Sequence, residues 1–217
     1  MSCHSGLDPE STLIRYMTII AKEKQMQTKE TIKTLINDSI AAKQHMIDQT
    51  DLIESITYKI VDAYKNDKKT IVCGNGGSAA DALHFAAEMV VRFEKNRKAL
   101  PSIALSENVS TLTAIGNDFG YDQSFSRQIE AFAQKGDIFI AISTSGNSPN
   151  VIKAIESAKE MGVFVIGLTN SDGGKMKDMC DLWYGAPSKT TARAQECHIL
   201  LIHIICRIIE TKVFENN

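Results

Sequence analysis

Four short stretches of the chain carry residue types and spacings that could do chemistry. The first reads Ser143-Thr144-Ser145-Gly146-Asn147-Ser148, which puts four hydroxyls and a glycine into six residues. A helical pattern follows over Asn150–Lys159, and a single serine before it would serve as an N-cap. Four hydroxyls exceed what capping needs. At a helix N-terminus they make a dense array of neutral donors for a small dianion such as a phosphomonoester. The second stretch, Cys73-Gly74-Asn75-Gly76-Gly77-Ser78, leads from an apolar segment straight into a helical pattern over Ala79–Phe93. Its glycines let the backbone approach a ligand closely. Gly74, Gly76 and Ala79 also match the dinucleotide pattern G-x-G-x-x-[GA], with Glu94 20 residues beyond Gly74. Glu94, however, comes just after a helix and not at the end of a second strand, where a ribose-binding acid belongs. No G-x-x-x-x-G-K-[ST] is present, so nucleotide triphosphate hydrolysis is unsupported.

The third and fourth stretches lie on helices. His84 and Glu88 stand four residues apart and share a face. Gln195 and His203 are two turns apart, separated by about 80° in projection. Glu88 sits among Phe85, Ala86, Ala87, Met89 and Val90, and His203 among Leu200, Leu201, Ile202, Ile204 and Ile205. A polar group in such surroundings needs a partner, and each could be the other's. His198 is a rival for His203, being only three residues from Gln195, and spacing alone does not choose between them. Gly116, Asn117 and Asp118 read as an ordinary turn at a helix end. Arg92, one turn past Glu88, suits either a substrate or subunit contact or a solvated surface position.

These stretches need a scaffold, and the pattern of the chain supplies one. Short apolar runs at Thr70–Cys73, Ser102–Leu105, Asp137–Ser143 and Val163–Thr169, with a weaker one at Asp181–Tyr184, alternate with helical stretches. Such spacing implies crossover connections and a doubly wound, five-stranded parallel sheet covered on both faces. Helical patterns precede the sheet at Thr28–Met46, where Ile32, Leu35, Ile36 and Ile40 recur at helical spacing, and at Asp51–Tyr64. A long, very apolar helix over Thr191–Glu210 follows it. Ligands of such sheets sit beyond the carboxyl ends of the strands, where the two loops above leave them. The expected organisation is a poorly ordered leader over residues 1–26, with Met17 and Met26 as candidate start sites, then one domain over residues 27–217.

Composition narrows the partners. With 217 residues there is enough chain for one sizeable core. A net charge of −2 gives no broad basic field, so nucleic acid is not an expected partner. No stretch approaches the roughly 20 apolar residues that span a bilayer, so a membrane is not expected either. Cys3, Cys73, Cys180, Cys197 and Cys206 are scattered without a CxxC pair, which reads as reduced thiols in a cytoplasmic protein.

The segments CGNGGSAADALHFAAE, AIGNDFG, ISTSGNSPNV and RAQECHILLIH resemble the SIS (sugar isomerase) domain family, over about residues 30–212. Within it they look like the phosphoheptose isomerases, or sedoheptulose 7-phosphate isomerases. The resemblance implies a flavodoxin-like SIS fold and a phosphorylated sugar substrate. It implies conversion of sedoheptulose 7-phosphate to D-glycero-D-manno-heptose 7-phosphate through an enediol, in the supply of heptose for the lipopolysaccharide core. By matching positions it implies substrate contacts at Asn75, Gly76, Gly77, Ser78, Glu88, Asn117, Asp118, Ser143, Thr144, Ser145, Ser148 and Gln195. Glu88 and His203 would form the acid–base pair. One zinc per subunit would be held by His84, Glu88, Gln195 and His203, in a homotetramer. The resemblance prefers His203 to His198. Where some family members carry an aspartate before the arginine matching Arg193, this chain has Ala192. A non-catalytic SIS paralogue that binds the replication initiator is the alternative; it resembles a chain lacking the acid and the last imidazole, and both are present here. A sugar-phosphate-sensing regulator would need a basic DNA-binding region before the domain.

Overall fold

The computed structural model describes residues 9–214. Five strands form one all-parallel sheet: β1 Thr70–Gly74, β2 Ser102–Ala104, β3 Ile138–Ile142, β4 Phe164–Thr169 and β5 Leu182–Gly185. All five were legible as apolar runs, the weakest included. Their order is β2-β1-β3-β4-β5, the flavodoxin-like winding. Among the described residues seven α-helices accompany them: α1 Pro9–His45, α2 Thr50–Lys65, α3 Gly77–Val90, α4 Val109–Asp118, α5 Ser126–Phe132, α6 Pro149–Glu160 and α7 Thr191–Val213.

The strands are apolar on both sides because helices cover both faces. Alternation along β1 and β3 sorts the side chains. Val72, Ile138, Ile140 and Ile142 join a core with residues of α2, α3 and α7. Ile71, Cys73, Phe139 and Ala141 join a second core with residues of α5 and α6. Burying an isoleucine or leucine contributes about 1.5–3 kcal/mol. Helix α7 buries Leu201, Ile202, Ile205 and Ile209 in the first core, so it is held firmly along most of its length.

The chain divides into a unit up to Ala41 and a unit from Ala42 onward. This differs from a boundary after residue 26. Helix α1 also begins at Pro9, well before the periodic stretch that started at Thr28; of the expected leader, residues 1–8 lie outside the described residues. On α1 the apolar set Ile32, Leu35, Ile36 and Ile40 is about half exposed. On the very apolar α7, by contrast, Leu201, Ile202, Ile205 and Ile209 are buried by the chain itself. Among the described residues no helix is long and apolar enough to cross a membrane. Cys73, Cys180, Cys197 and Cys206 are free thiols.

Candidate active site

Winding reverses between β1 and β3, which lie side by side, so the connections leaving them run to opposite faces and open a crevice at their carboxyl ends. The two phosphate-type loops leave these two strands. After β3, the hydroxyls turn toward one another: Ser143 Oγ lies 2.8 Å from Ser148 Oγ and 3.4 Å from Ser145 Oγ. Asn147 N donates to Ser145 Oγ at 3.2 Å, closing a tight turn before α6. Gly146 makes that turn with φ +64°, and a Cβ here would collide with Gly173 O, so only glycine fits. Ser148 takes the N-cap position of α6 without capping it through its side chain, which leaves its hydroxyl turned to the Ser143 cluster. Thr144 and Ser145 are at least partly open to solvent.

The glycine loop is tied to this cluster by a reciprocal amide pair. Asn75 Nδ2 donates to Asn150 Oδ1 at 2.9 Å, and Asn150 Nδ2 donates back to Asn75 Oδ1 at 3.0 Å. Tyr121 Oη donates to Asn75 Oδ1 at 2.8 Å, and Asn150 Nδ2 also reaches Ser124 Oγ at 3.1 Å. Asn150 and Tyr121 escaped the sequence reading, since their partner is 75 and 46 residues away in the chain. Asn75 and Gly76 precede α3, while Gly77 and the buried Ser78 begin it. Gly77 has a specific reason to be glycine: a Cβ there would run into the carboxamide of Gln195. The start of α3 and the start of α7 therefore meet at the glycine loop.

About two and three turns further along α3, the polar residues gather. His84 Nε2 lies 3.0 Å from Glu88 Oε1 and 3.3 Å from His203 Nε2. His84 thus stands between Glu88 and His203, which the sequence had paired directly. The rivalry on α7 is resolved by the fold. His198 is fully buried, and its Nε2 meets Thr169 O at 2.9 Å, so that nitrogen carries the proton and donates. Burial pushes its pKa down to about 4, with the bond to Thr169 opposing. His198 is a neutral core residue; His203 faces His84, with its ring stacked on Phe93 at 5.7 Å between centroids.

His84 Nε2 is shared by a carboxylate oxygen and an imidazole nitrogen, so lone pairs outnumber the protons available between them. Adjacent ligands in a tetrahedral zinc site with bonds of about 2.0–2.1 Å are separated by about 3.3–3.4 Å, close to these spacings. Gln195, His84 and Asp81 line one open cavity of about 440 Å³ beside Gly77. The donor set of His84, Glu88, His203 and the Gln195 oxygen therefore fits zinc in kind. Among the described residues, no three His, Cys, Asp or Glu groups already converge as a metal centre. Asp81, one turn before His84, joins His84 and Gln195 at the cavity unforeseen from the sequence, although an aspartate three residues from His84 in an apolar helix was the available signal. Burial raises its pKa to about 6, partly offset by the charge of His84, and its Oδ2 has no hydrogen-bond partner among the described residues.

Asn117 and Asp118 close the last turn of α4, exposed and bonded to each other at 2.7 Å. Both are still helical there; Tyr121, three residues on, is the residue of this segment that reaches the glycine loop. Arg92 is exposed beyond α3. Glu94 pairs with Arg207 on α7 and does not end β2, which removes the ribose-binding role. Ala192, exposed at the start of α7, lines the cavity with Gln195.

A parallel sheet with this winding, and a hydroxyl-rich loop at its switch point, defines a phosphosugar-binding domain of the SIS type, and residues 36–170 match the family model for the SIS domain. The chain is 50% identical over 191 residues to the phosphoheptose isomerase of Helicobacter hepaticus, covering 88% of this chain and 96% of that one. It is 50% identical over 188 residues to the phosphoheptose isomerase of Aneurinibacillus thermoaerophilus, covering 85% and 95%. The structure of the phosphoheptose isomerase from Neisseria gonorrhoeae superposes with a TM-score of 0.80 at 43% identity, covering 84% of this chain and 98% of that one. The chain belongs to the phosphoheptose isomerase family of SIS-domain proteins, aldose–ketose isomerases of a sugar phosphate.

Proposed function

We propose that the protein interconverts sedoheptulose 7-phosphate and D-glycero-D-manno-heptose 7-phosphate in the cytoplasm, as a homotetramer supplying heptose for the lipopolysaccharide core. The observation that carries this reading is the meeting of Glu88, His84 and His203 on α3 and α7, beside a glycine loop that is bonded through Asn75 and Asn150 to the serine loop. The phosphate binds to the hydroxyls of Ser143, Thr144, Ser145 and Ser148, and the sugar chain runs over Asn75–Ser78 toward α3. Asn117 and Asp118 contact the substrate from the α4 side.

Glu88 removes a proton from carbon 1 of the ketose, leaving an enediol, and returns a proton to carbon 2. His203 exchanges the protons on the oxygens of carbons 1 and 2, so that the carbonyl moves from carbon 2 to carbon 1 with no net change in atoms or charge. Gln195 orients the same end of the sugar from the start of α7. One zinc per subunit, held by His84, Glu88, Gln195 and His203, would polarise the sugar oxygens as a Lewis acid. The half-exposed apolar face of α1 supports assembly with further copies, which light scattering would measure as a tetramer.

The test is isotopic. In heavy water the enzyme should place deuterium on carbon 2 of the aldose, and Glu88→Gln, which keeps the shape but removes the base, should turn over about 10²–10⁴-fold more slowly. His203→Asn should be damaged similarly, with phosphosugar binding retained in both. Normal turnover by Glu88→Gln, or no isomerase activity in the zinc-supplied wild type, refutes the catalytic reading and leaves the non-catalytic SIS paralogue in its place.

A further inference from the structure

Two charged residues outside this site, Arg97 and Glu210, are buried together, with side chains 2% and 0% exposed. Burying an ion pair is costly unless its hydrogen-bonding capacity is used up, and here the uses are specific. Glu210 Oε1 accepts from Phe93 N at 2.8 Å and Arg97 Nε at 3.0 Å. Its Oε2 accepts from Glu94 N at 2.8 Å and Lys95 N at 2.9 Å. Arg97 then spends its remaining donors on carbonyls. Its Nη2 donates to Glu88 O at 2.7 Å, and its Nη1 to Met89 O at 2.7 Å and Lys98 O at 3.1 Å.

The consequence is a short mechanical path between the two proposed catalytic groups. Glu88 and Met89 lie in the last turn of α3, whose carbonyls have no partners within the helix. The guanidinium that reaches both of them, sharing Met89 O with Leu100 N, is anchored on Glu210, two turns beyond His203 on α7. The same carboxylate holds Phe93 N, and the Phe93 ring is stacked on the His203 imidazole. A single buried pair thus grips the backbone of Glu88 on one side and, through Phe93, the ring of His203 on the other.

We propose that Arg97 and Glu210 are positioning residues for the isomerisation, setting α3 against α7 so that Glu88 and His203 keep the spacing proton transfer requires. Neither touches the substrate. The proposal rests on the acid–base reading of Glu88 and His203. Phosphate binding lies elsewhere, on the loops after β1 and β3, so losing the pair acts on kcat and spares KM.

The experiment replaces the pair by apolar groups of similar length, Arg97→Met with Glu210→Leu, because either change alone strands a buried charge. The expected double variant melts cooperatively, retains KM for sedoheptulose 7-phosphate within about threefold and loses kcat by about 10–100-fold. The side-chain NMR signal of His203, identified by its absence in His203→Asn, loses the ring-current displacement caused by Phe93. Arg97→Lys is the second variant: it keeps the charge but not the fork that spans two carbonyls and a carboxylate, and its kcat should fall with KM again spared. Wild-type kcat in a folded double variant overturns the proposal, as does wild-type kcat in Arg97→Lys. Full activity in Glu88→Gln is the separate signature of a failed acid–base reading, and the His203 signal still reports whether the tether exists.

Discussion

Replacing Ser145 by aspartate tests the phosphate assignment with a magnitude that follows from the geometry. Ser145 Oγ is 3.4 Å from Ser143 Oγ, within the hydroxyl cluster, so a dianion seated on that cluster would lie about 4 Å from the new carboxylate. One negative charge against two at that distance costs about 2 kcal/mol at the dielectric of water and about 8 kcal/mol at an effective value of 20. Ser145 is exposed, so the lower figure applies. It corresponds to a Kd weakened by about 30-fold. Folding should hardly change, because aspartate can accept the bond that Asn147 N now gives Ser145 Oγ, and exposed substitutions shift stability by about 0.5 kcal/mol at most. The measurement is calorimetric titration with sedoheptulose 7-phosphate in the Glu88→Gln background, where turnover does not interfere. Ser145→Asn, equal in shape and uncharged, is the control. The difference between the two should shrink as salt is raised toward 1 M, where screening acts over about 3 Å. Equal affinities for the Asp and Asn variants at low salt would refute the assignment of the phosphate to this loop.

Gly77→Ala should displace the Gln195 carboxamide and cost about 1–3 kcal/mol of stability, as overpacking does; thermal melts and kcat together check it, and an unchanged melt with full activity would contradict the observed contact. His198 predicts an acid-side loss of stability. Its native pKa of about 4 lies below the ordinary 6.5, so the unfolded chain binds the extra proton between them; stability is fully present above pH 6.5 and falls as pH drops toward 4, by about 3 kcal/mol in all. Asp81, raised to about 6, contributes with the opposite sign between pH 3.8 and 6, since its native carboxyl holds a proton the unfolded one has released. Urea unfolding from pH 4.5 to 6.5 should therefore show a smaller rise of stability with pH in His198→Gln than in the wild type, and an identical slope in the two would overturn the burial argument.

The sheet was legible because a doubly covered parallel strand must be apolar on both faces, and Thr70–Cys73, Asp137–Ser143 and Val163–Thr169 are. Even Asp181–Tyr184 paired as β5, within a residue at each end. The loops were legible for a related reason: glycine and hydroxyl clusters between apolar runs have few structural uses. What stayed hidden were the long-range polar pairings. Asn75 with Asn150, Tyr121 with Asn75, and Arg97 with Glu210 join positions 46 to 113 residues apart, and no local period encodes them. The apolar row Ile32, Leu35, Ile36 and Ile40 was legible as more than one sheet could cover, and it is indeed about half exposed, whereas the apolar row of α7 is buried by its own chain.

The two histidines of α7 show where periodicity stops and tertiary structure decides. His198 and His203 are five residues apart, about 140° around the helix, so they cannot face the same neighbour. Gln195 lies between them in projection, about 60° from one and about 80° from the other, so spacing alone does not choose. The assignment comes from what the helix packs on. Cys197, Leu201, Ile205 and Ile209 follow one another at four-residue intervals and are all buried, so this row is the side of α7 that must turn inward. His198 sits beside that row and is carried into the core, where the end of β4 offers Thr169 O as an acceptor for one ring proton. Gln195, Ile199 and His203 form a parallel row displaced toward α3, all partly exposed. The more apolar row therefore determines which imidazole is sealed as neutral and which is left at the surface of α3, 3.3 Å from His84.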